Sequence, residues 1–268
     1  HADEIAWFVS SISEKGYISV KRNGGSDPVI APSKRVRIHT PKGEVRAVFG
    51  WPAIHVRQRD KEEAPSMKSI FLDVGADSKE EVEEMGIHIG CVATFEDEPM
   101  FLNKERYLCG RALDNRIGGF MIAEVLRRFK EEGHALPFGL YAVNAVQEEI
   151  GLRGAEMISR RLKPNVALVT DVTHDNQSPG YPKDDPEIRC GKGPVLTYGP
   201  AVHNRLLNMV IDVAEKEKIN FQRQVAERST GTDTDAFAYS GEGVPSALIS
   251  LPLKYMHTTV ETVATEDV

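Results

Sequence analysis

Two adjacent glutamates, Glu148 and Glu149, follow an apolar segment in the stretch AVNAVQEEIGLRGAE, which covers residues 142–156. The apolar part is typical of a buried β-strand, so water should be scarce where the two carboxylates fall. A buried carboxylate is costly unless a positive group lies beside it. The pair therefore predicts a positive partner, although a glutamate pair before a glycine is, in isolation, more often the solvated start of a helix.

Other metal-competent side chains follow the predicted strands of the second half of the chain. Asp171 follows the apolar segment VALVT, and His257 lies shortly after SALISL. Asp114 stands just before an amphipathic helix, and the stretch HADE places His1 and Asp3 beside another apolar segment. Because ligands of α/β sheets bind beyond the carboxyl ends of the strands, these groups are expected to meet at one edge.

Each of these residues also has a simple structural interpretation. Asp114 could cap its helix, the usual role of aspartate at such a position. Asp171 could end a strand in a turn, with His174 and Asp175 as ordinary surface residues. His257 could be a hydrogen-bonded structural histidine. All of these structural interpretations would have to be correct at once. A single cause that accounts for every one of these residues is therefore favoured.

A dinuclear metal site provides that explanation. Two divalent cations about 3.5 to 4 Å apart need a bridging carboxylate and terminal ligands on each side. Asp114 is expected to bridge the ions, with His1 and Asp171 on one ion and Glu149 and His257 on the other. Histidine and carboxylate ligands without thiolate favour Zn²⁺, with Co²⁺ or Mn²⁺ as alternatives.

Glu148 is adjacent to a predicted ligand, and we expect it to act as the general base on a metal-activated water. A glycosidase that uses the two glutamates is disfavoured. Its two carboxyl groups must face each other across about 5 to 9.5 Å, and neighbours on one strand rarely do so. A non-catalytic assembly protein is the other alternative. Loss of a ligand would favour it, but no ligand of the predicted set is missing.

The elements that must position these residues change in character near residue 98. Before it, short alternating segments are broken by glycine and proline. Residues 35–50, RVRIHTPKGEVRAVFG, predict a hairpin with Val36 and Ile38 on one face. In residues 69–86, a strand leads to a short helix that Ser78 caps while Glu81 reaches back. This half is expected to be a small β-barrel or sandwich.

After residue 98, helical and apolar segments alternate, which predicts an α/β fold with a mostly parallel sheet flanked by helices. Helices are expected over 114–133, 153–162 and 204–218, and strands over 138–146, 166–170 and 246–251. The first of these strands is the one that ends at the glutamate pair.

Composition excludes several classes of function. The net charge of −7 and the lack of a basic cluster argue against nucleic-acid binding. No apolar run approaches the ~20 residues of a membrane-spanning helix. The three cysteines, Cys91, Cys109 and Cys190, are far apart without a C-x-x-C pair. This usage favours buried thiols in a reducing compartment, so a cytoplasmic location is expected.

Six ordered motifs resemble those of the M42 family of dinuclear metallo-aminopeptidases, which includes glutamyl and TET-like aminopeptidases. The motifs are HADE, GRALDNRIGG, QEEIGLRGA, TDVTHD, GTDTDAF and YMHTTVE. The resemblance covers nearly the whole chain. The residues that match the family's metal ligands are His1, Asp114, Glu149, Asp171 and His257. Glu148 matches the catalytic base, and Asp3 matches the aspartate that orients the ligand His1.

The same resemblance implies a domain organisation and an assembly. Residues 1–6 and 98–268 would form the zinc-peptidase-like catalytic domain, and residues 7–97 an inserted β-barrel-like dimerisation domain. Family members assemble as homo-oligomers built from dimers, in some cases dodecamers. Short peptides are the implied substrates, cut at the amino-terminal peptide bond.

Two features leave alternatives open. GTDTDAF resembles the family's substrate-side loop, but Thr232, Asp233 and Asp235 could equally cap the following helix. The predicted ligand set alone would also suit a carboxypeptidase or deacylase of the same clan.

The family usually has a strand leading into HADE and a closing helix after TEDV, and both ends are absent from this sequence.

Overall fold

The computed structural model describes residues 1–57, 62–133, 135–182 and 186–268. The predicted inserted domain, 7–97, includes residues 58–61, which lie outside the described residues. Within the described ranges, no helix is both long and apolar enough to cross a membrane.

The chain divides into two compact units. The smaller unit contains Ile5–Glu98 together with His257–Thr259. The larger unit is made of the following segments: His1–Glu4, Pro99–Met256 and Val260–Val268. The role of the smaller unit as an inserted dimerisation domain stays a prediction.

The described residues of the smaller unit form a closed antiparallel barrel of six strands. These are, in chain order, β1 Ala6–Ile12, β2 Ile18–Asn23, β3 Arg35–Thr40, β4 Gly43–Phe49, β5 Leu72–Asp73 and β6 Val92–Phe95. They pair around the barrel in the order β1-β2-β5-β4-β3-β6. Trp7 is fully buried, with ring centroids 5.3 Å from Phe49 and 6.2 Å from Phe95 in edge-on geometry. These aromatic contacts fill the barrel interior.

The predicted hairpin of this unit is confirmed. β3 and β4 pair from Arg35 with Val48 to Thr40 with Gly43, so a two-residue turn connects them. Val36 and Ile38 are fully buried on the same face of β3. The alternation of apolar and polar residues set this register, because a slip by one residue would turn the apolar face outward.

The predicted helix cap is also confirmed. Helix α1 covers Lys79–Glu84, and the Oγ of Ser78 accepts a hydrogen bond from the backbone N–H of Glu81. The carboxylate of Glu81 reaches back and accepts from the N–H of Asp77 at 2.8 Å. The two bonds satisfy donors that the start of a helix would otherwise leave open. A 3₁₀ turn, Ile54–Val56, is also part of this unit.

The part of the larger unit that the structure describes contains two sheets. Its strands are β7 Met100–Leu102, β8 Tyr107–Gly110, β9 Ala167–His174, β10 Val195–Tyr198, β11 Gln222–Val225, β12 Ser246–Leu253 and β13 Glu261–Ala264. A four-stranded sheet has the order β11-β10-β12-β9, and a three-stranded sheet has the order β13-β8-β7. In the four-stranded sheet, β9 pairs parallel with β12 and β10 pairs parallel with β11.

The prediction of a mostly parallel sheet is not confirmed, although the α/β class is. β10 runs antiparallel to β12, and the three-stranded sheet is antiparallel throughout. The barrel is antiparallel as well, so antiparallel pairs outnumber parallel ones. Apolar segments alternating with helices predict strands buried on both faces, but they do not fix strand direction.

Helices cover the four-stranded sheet and bring apolar residues to it. Their bounds are α2 Leu113–Glu131, α3 Arg153–Leu162, α4 Asn204–Lys216 and α5 Asp233–Tyr239. Leu207 and Ile211 of α4 lie in one apolar cluster with Leu196 and Leu248 of the sheet. A second cluster joins the start of α2 to the far end of β12. A 3₁₀ turn, Thr265–Asp267, follows β13.

The predicted strand over residues 138–146 is wrong, because this segment forms no strand in the structure. Phe138, Leu140 and Tyr141 are exposed, while Ala145 is buried in the apolar cluster beneath α3 and α4. The carbonyl of Ala145 accepts a hydrogen bond from the N–H of Ala2 at 2.7 Å. Only the end of the segment that precedes the two glutamates is therefore anchored.

Candidate metal centre

His1 is the nitrogen donor of a buried group of acidic side chains in the larger unit. It is 7% exposed, and its Nε2 lies 3.0 Å from Oδ1 of Asp114 and 3.4 Å from Oε2 of Glu148. Burial lowers the pKa of His1. Hydrogen bonds to Asp114 and Asp3, with the charges of Asp114 and Asp171, outweigh burial and raise this pKa to about 12. The groups around this imidazole therefore stabilise its protonated, positively charged form.

Asp3 connects His1 to the glutamate pair. The Nδ1 of His1 lies 3.1 Å from the backbone oxygen of Asp3 and 3.5 Å from its Oδ1. The Asp3 carboxylate accepts hydrogen bonds from the backbone N–H groups of Glu148 and Glu149, both at 3.2 Å. Burial raises the pKa of Asp3, but the bonds from His1 and these N–H groups lower it overall. Asp3 thus holds the imidazole and the backbone of the two glutamates in place together.

Asp114 is buried at the start of α2, but it does not occupy the capping position. The N-cap residue is Ala112, and Asp114 has φ −80° and ψ 103° inside the helix limits. Its backbone N–H donates to Oε2 of Glu261 at 3.0 Å, and the peptide bond to Asn115 is cis. The capping interpretation is therefore wrong, and the carboxylate is directed at His1 instead.

Asp171 lies inside strand β9, which continues to His174, so the expected strand end after residue 170 is wrong. Asp171 is 5% exposed, and its Oδ1 accepts from the N–H of Val172 at 2.7 Å. Burial raises the pKa of Asp171 well above its usual range, and the charges of Asp114 and Glu148 add to this effect. Such a carboxylate is stable in ionised form only with added positive charge.

His174 and Asp175, the neighbours weighed as surface residues, differ from each other. His174 is exposed at the end of β9. Asp175 is 1% exposed, and its carboxylate accepts from the N–H groups of Gln177 and Cys190 at 2.9 and 3.0 Å. Asp175 is therefore a structural carboxylate that organises a loop.

His1, Asp114 and Asp171 fit one divalent cation. Each offers one ligand atom, and the three atoms lie within 4.8 Å of one another. Ligand atoms about 2.0 to 2.2 Å from a shared Zn²⁺ lie at most about 4.4 Å apart, so a small inward movement suffices. One imidazole and two carboxylates also form a donor set that Zn²⁺ accepts.

The second predicted cation would share Asp114 with Glu149 and His257. Asp114 and Glu149 each offer a carboxylate oxygen within the same 4.8 Å limit. His257 belongs with the barrel residues, where its ring lies against the backbone of Gly25. Its role as a ligand stays a prediction.

Glu148 is buried beside this group rather than solvated at a helix start. It is 9% exposed, and helix α3 begins five residues later, at Arg153. Burial raises the pKa of Glu148 to about 8, His1 opposes the shift, and Asp233, Asp114 and Glu149 increase it. The solvated interpretation of Glu148 is therefore wrong, as its carboxyl group lies among the other acids.

The start of α3 holds the glutamate pair in place. The backbone oxygen of Glu148 accepts from the N–H groups of Gly151 and Leu152 at 2.9 and 3.0 Å. Gly154 donates its N–H to the oxygen of Val146, and a Cβ at Gly154 would lie 2.4 Å from that oxygen. Only glycine permits this close approach of the helix to the segment that precedes the glutamates.

The three candidate residues of the loop GTDTDAF have three different roles. Thr232 is the N-cap of α5, and its Oγ1 accepts from the N–H of Thr234 at 3.2 Å. The carboxylate of Asp235 accepts from the N–H groups of Thr230 and Gly231 at 3.0 to 3.1 Å. Asp233 does neither and is buried. The capping interpretation therefore holds for Thr232 alone.

Glu261, which no local pattern singled out, is 2% exposed and accepts a hydrogen bond from the backbone N–H of Asp114. Its presence in the motif YMHTTVE was the available signal. The side chain helps to fix the position of the predicted bridging carboxylate.

The family model described as M42 glutamyl aminopeptidase matches residues 1–268. The chain belongs to the M42 peptidase family. It is therefore a hydrolase of the aminopeptidase type, and metal dependence is typical of the family.

Named relatives of this M42 chain agree with that assignment. Lysyl aminopeptidase of Pyrococcus furiosus is 37% identical over 270 residues, which span 100% of this chain and 76% of the relative. A TET aminopeptidase from the marine sediment archaeon Thaumarchaeota archaeon SCGC AB-539-E09 superposes with a TM-score of 0.92. That match has 32% identity and covers 100% of this chain and 76% of the other.

A further structural neighbour of the M42 chain is the TET1 peptidase of Pyrococcus horikoshii. Its TM-score is 0.83 at 27% identity, over 100% of this chain and 78% of that chain. Its structure is described as one that can assemble into a tetrahedron or a large octahedral shell.

The raised pKa values predict how the metal-free M42 protein responds to pH. Folded Glu148, with a pKa near 8, holds a proton that the unfolded chain releases near 4.5. The folded state thus binds more protons between these values, so the free energy of unfolding should fall as pH rises from about 5 to 8. His1, whose pKa is also raised, acts in the same direction above pH 6.5.

Denaturant unfolding of chelator-treated protein at several pH values would measure this slope. Added Zn²⁺ should stabilise the protein more at pH 8 than at pH 5, because its ligands must lose protons to bind it. Stability that rises with pH in the metal-free protein would contradict the description of this site.

Proposed function

We propose that this M42 chain hydrolyses the amino-terminal peptide bond of short peptides at a dinuclear metal centre, with Glu148 as the general base. The observation that supports this most directly is the buried group of His1, Asp114 and Asp171, with the carboxylate of Glu148 3.4 Å from the imidazole. A base must lie within reach of the reacting water, and Glu148 borders the predicted cation position.

Five side chains would hold the two cations. Asp114 would lie between them, with His1 and Asp171 on one side and Glu149 and His257 on the other. Bound divalent cations would supply Lewis-acid activation of water and of the scissile carbonyl. Zn²⁺ is the expected ion, and Co²⁺ or Mn²⁺ would suit the same donors.

Glu148 would move the proton. Its Oε2 would accept a proton from water and then deliver it to the nitrogen of the departing amine. Burial raises its pKa to about 8, within the range in which a carboxyl group both takes and returns a proton near neutral pH. The hydrogen bonds around its backbone oxygen would keep this carboxyl group in place through both transfers.

Asp3 would act through His1. With the imidazole Nδ1 beside Asp3, Nε2 is directed at Asp114 and the predicted cation position. An outer carboxylate of this kind orients a ligand histidine and increases its basicity. The same carboxylate would orient the peptide groups of Glu148 and Glu149.

A substrate panel tests the exopeptidase assignment. Aminoacyl reporters with a free amino group should be cleaved, and the same reporters carrying an N-acetyl group should not. Release of acetate from the blocked reporters would instead indicate a deacylase. Cleavage at the carboxyl terminus of blocked peptides would indicate a carboxypeptidase of the same clan.

We also propose that the chain forms homo-oligomers through its barrel unit, starting from a dimer. The assemblies described for the Pyrococcus horikoshii TET1 peptidase support this, with a dodecamer as one form of the higher assembly. The barrel exposes several large apolar side chains: Phe8, Val48, Ile54, Val56 and Ile89. Apolar surface of this kind is often covered by a partner.

Light scattering of the full-length protein at micromolar concentration should give at least a dimer. Replacing Val56 and Ile89 by serine should lower the mass, whereas replacing the exposed Val125 of the larger unit should not. A monomeric wild-type protein would refute this proposal.

The expected cytoplasmic location is also a proposal. All three cysteines are buried and free, as thiols of a reducing compartment usually are. Fractionation of the source cells with an antibody to the protein would test it.

A further inference from the structure

Asp233 is a buried carboxylate near the reacting groups that the proposed hydrolysis has not used. It is 8% exposed, and its Oδ1 is shielded from solvent and has no hydrogen-bond partner among the residues that the structure describes. The charge of Asp233 raises the pKa of Glu148, and the charges of His1 and Asp3 act on Asp233 in turn. Asp233 therefore lies near Glu148, His1 and Asp3.

The loop around Asp233 is braced by its neighbours. Asp235 binds two backbone N–H groups of the loop, and Thr232 binds Oγ1 of Thr230 and Oγ1 of Thr234, both at 2.9 Å. Gly231 has φ +68°, a conformation that favours glycine. Because these hydrogen bonds hold the loop in place, the buried carboxylate of Asp233 is suited to bind a ligand group at a fixed position.

The other acids of the larger unit's site already have tasks. Asp3 accepts two backbone N–H groups, and Oδ1 of Asp171 accepts one. Oδ1 of Asp114 lies against His1, and Glu148 is the proposed base. Glu149 is a predicted metal ligand, so Asp233 is the acid described around this site to which the proposed hydrolysis gives no task.

An amino-terminal peptide bond has a positive charge nearby. The α-ammonium nitrogen lies about 2.5 Å from the scissile carbonyl carbon, because only the Cα separates them. Burying that ammonium is costly unless an anion accepts its protons. The acceptor must therefore lie within a few ångströms of the reacting carbonyl.

We propose that Asp233 accepts the free α-ammonium group of the first residue of the substrate and so selects peptides with an unblocked amino terminus. This inference rests on the proposed aminopeptidase function. A blocked amino terminus would leave the buried carboxylate without its partner, which is a penalty against that substrate.

The ionisation of Asp233 is compatible with this role. Burial raises its pKa to about 6, opposed by His1 and increased by Asp3. The carboxylate is thus charged at pH 7.5, where an α-ammonium group is still largely protonated.

Competitive inhibition by matched alcohols tests the proposal on full-length, metal-loaded protein. The amino alcohol leucinol carries the ammonium group, and 4-methylpentan-1-ol is its counterpart without it. The wild-type protein should favour leucinol by about 10- to 100-fold, the usual range for a hydrogen bond to a charged group. Asp233→Asn should lose that preference and leave inhibition by 4-methylpentan-1-ol within about threefold.

Asp235→Asn is the matched control, since it removes the same charge from the same loop. It should keep the ratio of the two inhibition constants, even if both constants change. Metal content is measured on both variants, and circular dichroism checks their folding. If Asp233→Asn does not fold, Asp233→Ser should show the same loss of preference.

Three outcomes have distinct meanings. An unchanged preference for leucinol in the Asp233 variant would overturn the inference and leave the aminopeptidase function standing. Loss of metal from that variant would identify Asp233 as a ligand and also overturn it. A wild-type protein that cleaves no free-amine reporter would refute the proposed function itself.

Discussion

Replacing Glu148 by glutamine is expected to lower kcat by about 10²- to 10⁴-fold, the usual contribution of a general base. Glutamine keeps the shape of the side chain but cannot accept a proton from water. The metal content should not change, because Glu148 is not among the predicted ligands. Turnover of an aminoacyl reporter and elemental analysis of the same sample measure both effects.

Glu149→Gln is the matched control, because the same change is made one residue along the chain. It removes a charged ligand, so one ion should bind more weakly and added metal should partly restore activity. Loss of metal from Glu148→Gln, with full metal in Glu149→Gln, would reverse the two roles. Full activity in both variants would refute the hydrolase mechanism.

Asp171→Asn is expected to have opposite effects on stability and on activity. At pH 8 the metal-free variant should melt a few degrees higher than wild type, because it loses a buried acidic group whose pKa is raised by burial and by the charges of Asp114 and Glu148. Asparagine can still accept the N–H of Val172. Activity should fall more than about 100-fold, since changing even an outer partner of a ligand costs 10- to 100-fold. Thermal melts and metal titration measure the two effects.

Asp175→Asn provides the contrast, since this carboxylate is just as buried but binds two backbone N–H groups. Its replacement should destabilise the metal-free and the metal-loaded protein alike and leave metal affinity unchanged. A metal-free Asp171→Asn protein that is less stable than wild type would mean that Asp171 has a structural role of the same kind.

Local patterns were enough to predict the elements in which neighbours in sequence are neighbours in space. The Ser78 cap and the β3–β4 hairpin depend on residues within about a dozen positions, so the sequence contains all their partners. The segment 138–146 is different, because a strand exists only when another strand pairs with it. Its apolar composition therefore predicted an element that the structure does not form.

The residues of the predicted site could be identified from the sequence, because carboxylates and histidines beside apolar segments need a common partner. The finer assignments depended on distant contacts. Glu261 binds a backbone N–H of Asp114, 147 positions away, and no local pattern indicates that bond. A helix cap was a suitable role for each of Thr232, Asp233 and Asp235. Only the hydrogen bonds around them show that Thr232 caps the helix, that Asp233 is a buried acid and that Asp235 holds the loop in place.

Metal titration of the metal-free full-length protein tests the dinuclear aminopeptidase account most directly. Zn²⁺ or Co²⁺ would be added in known equivalents while cleavage of free and N-acetylated aminoacyl reporters is followed. The account predicts no turnover without metal and turnover of the free reporter that saturates at two ions per chain. Turnover in the metal-free protein, or saturation at one ion, would contradict it.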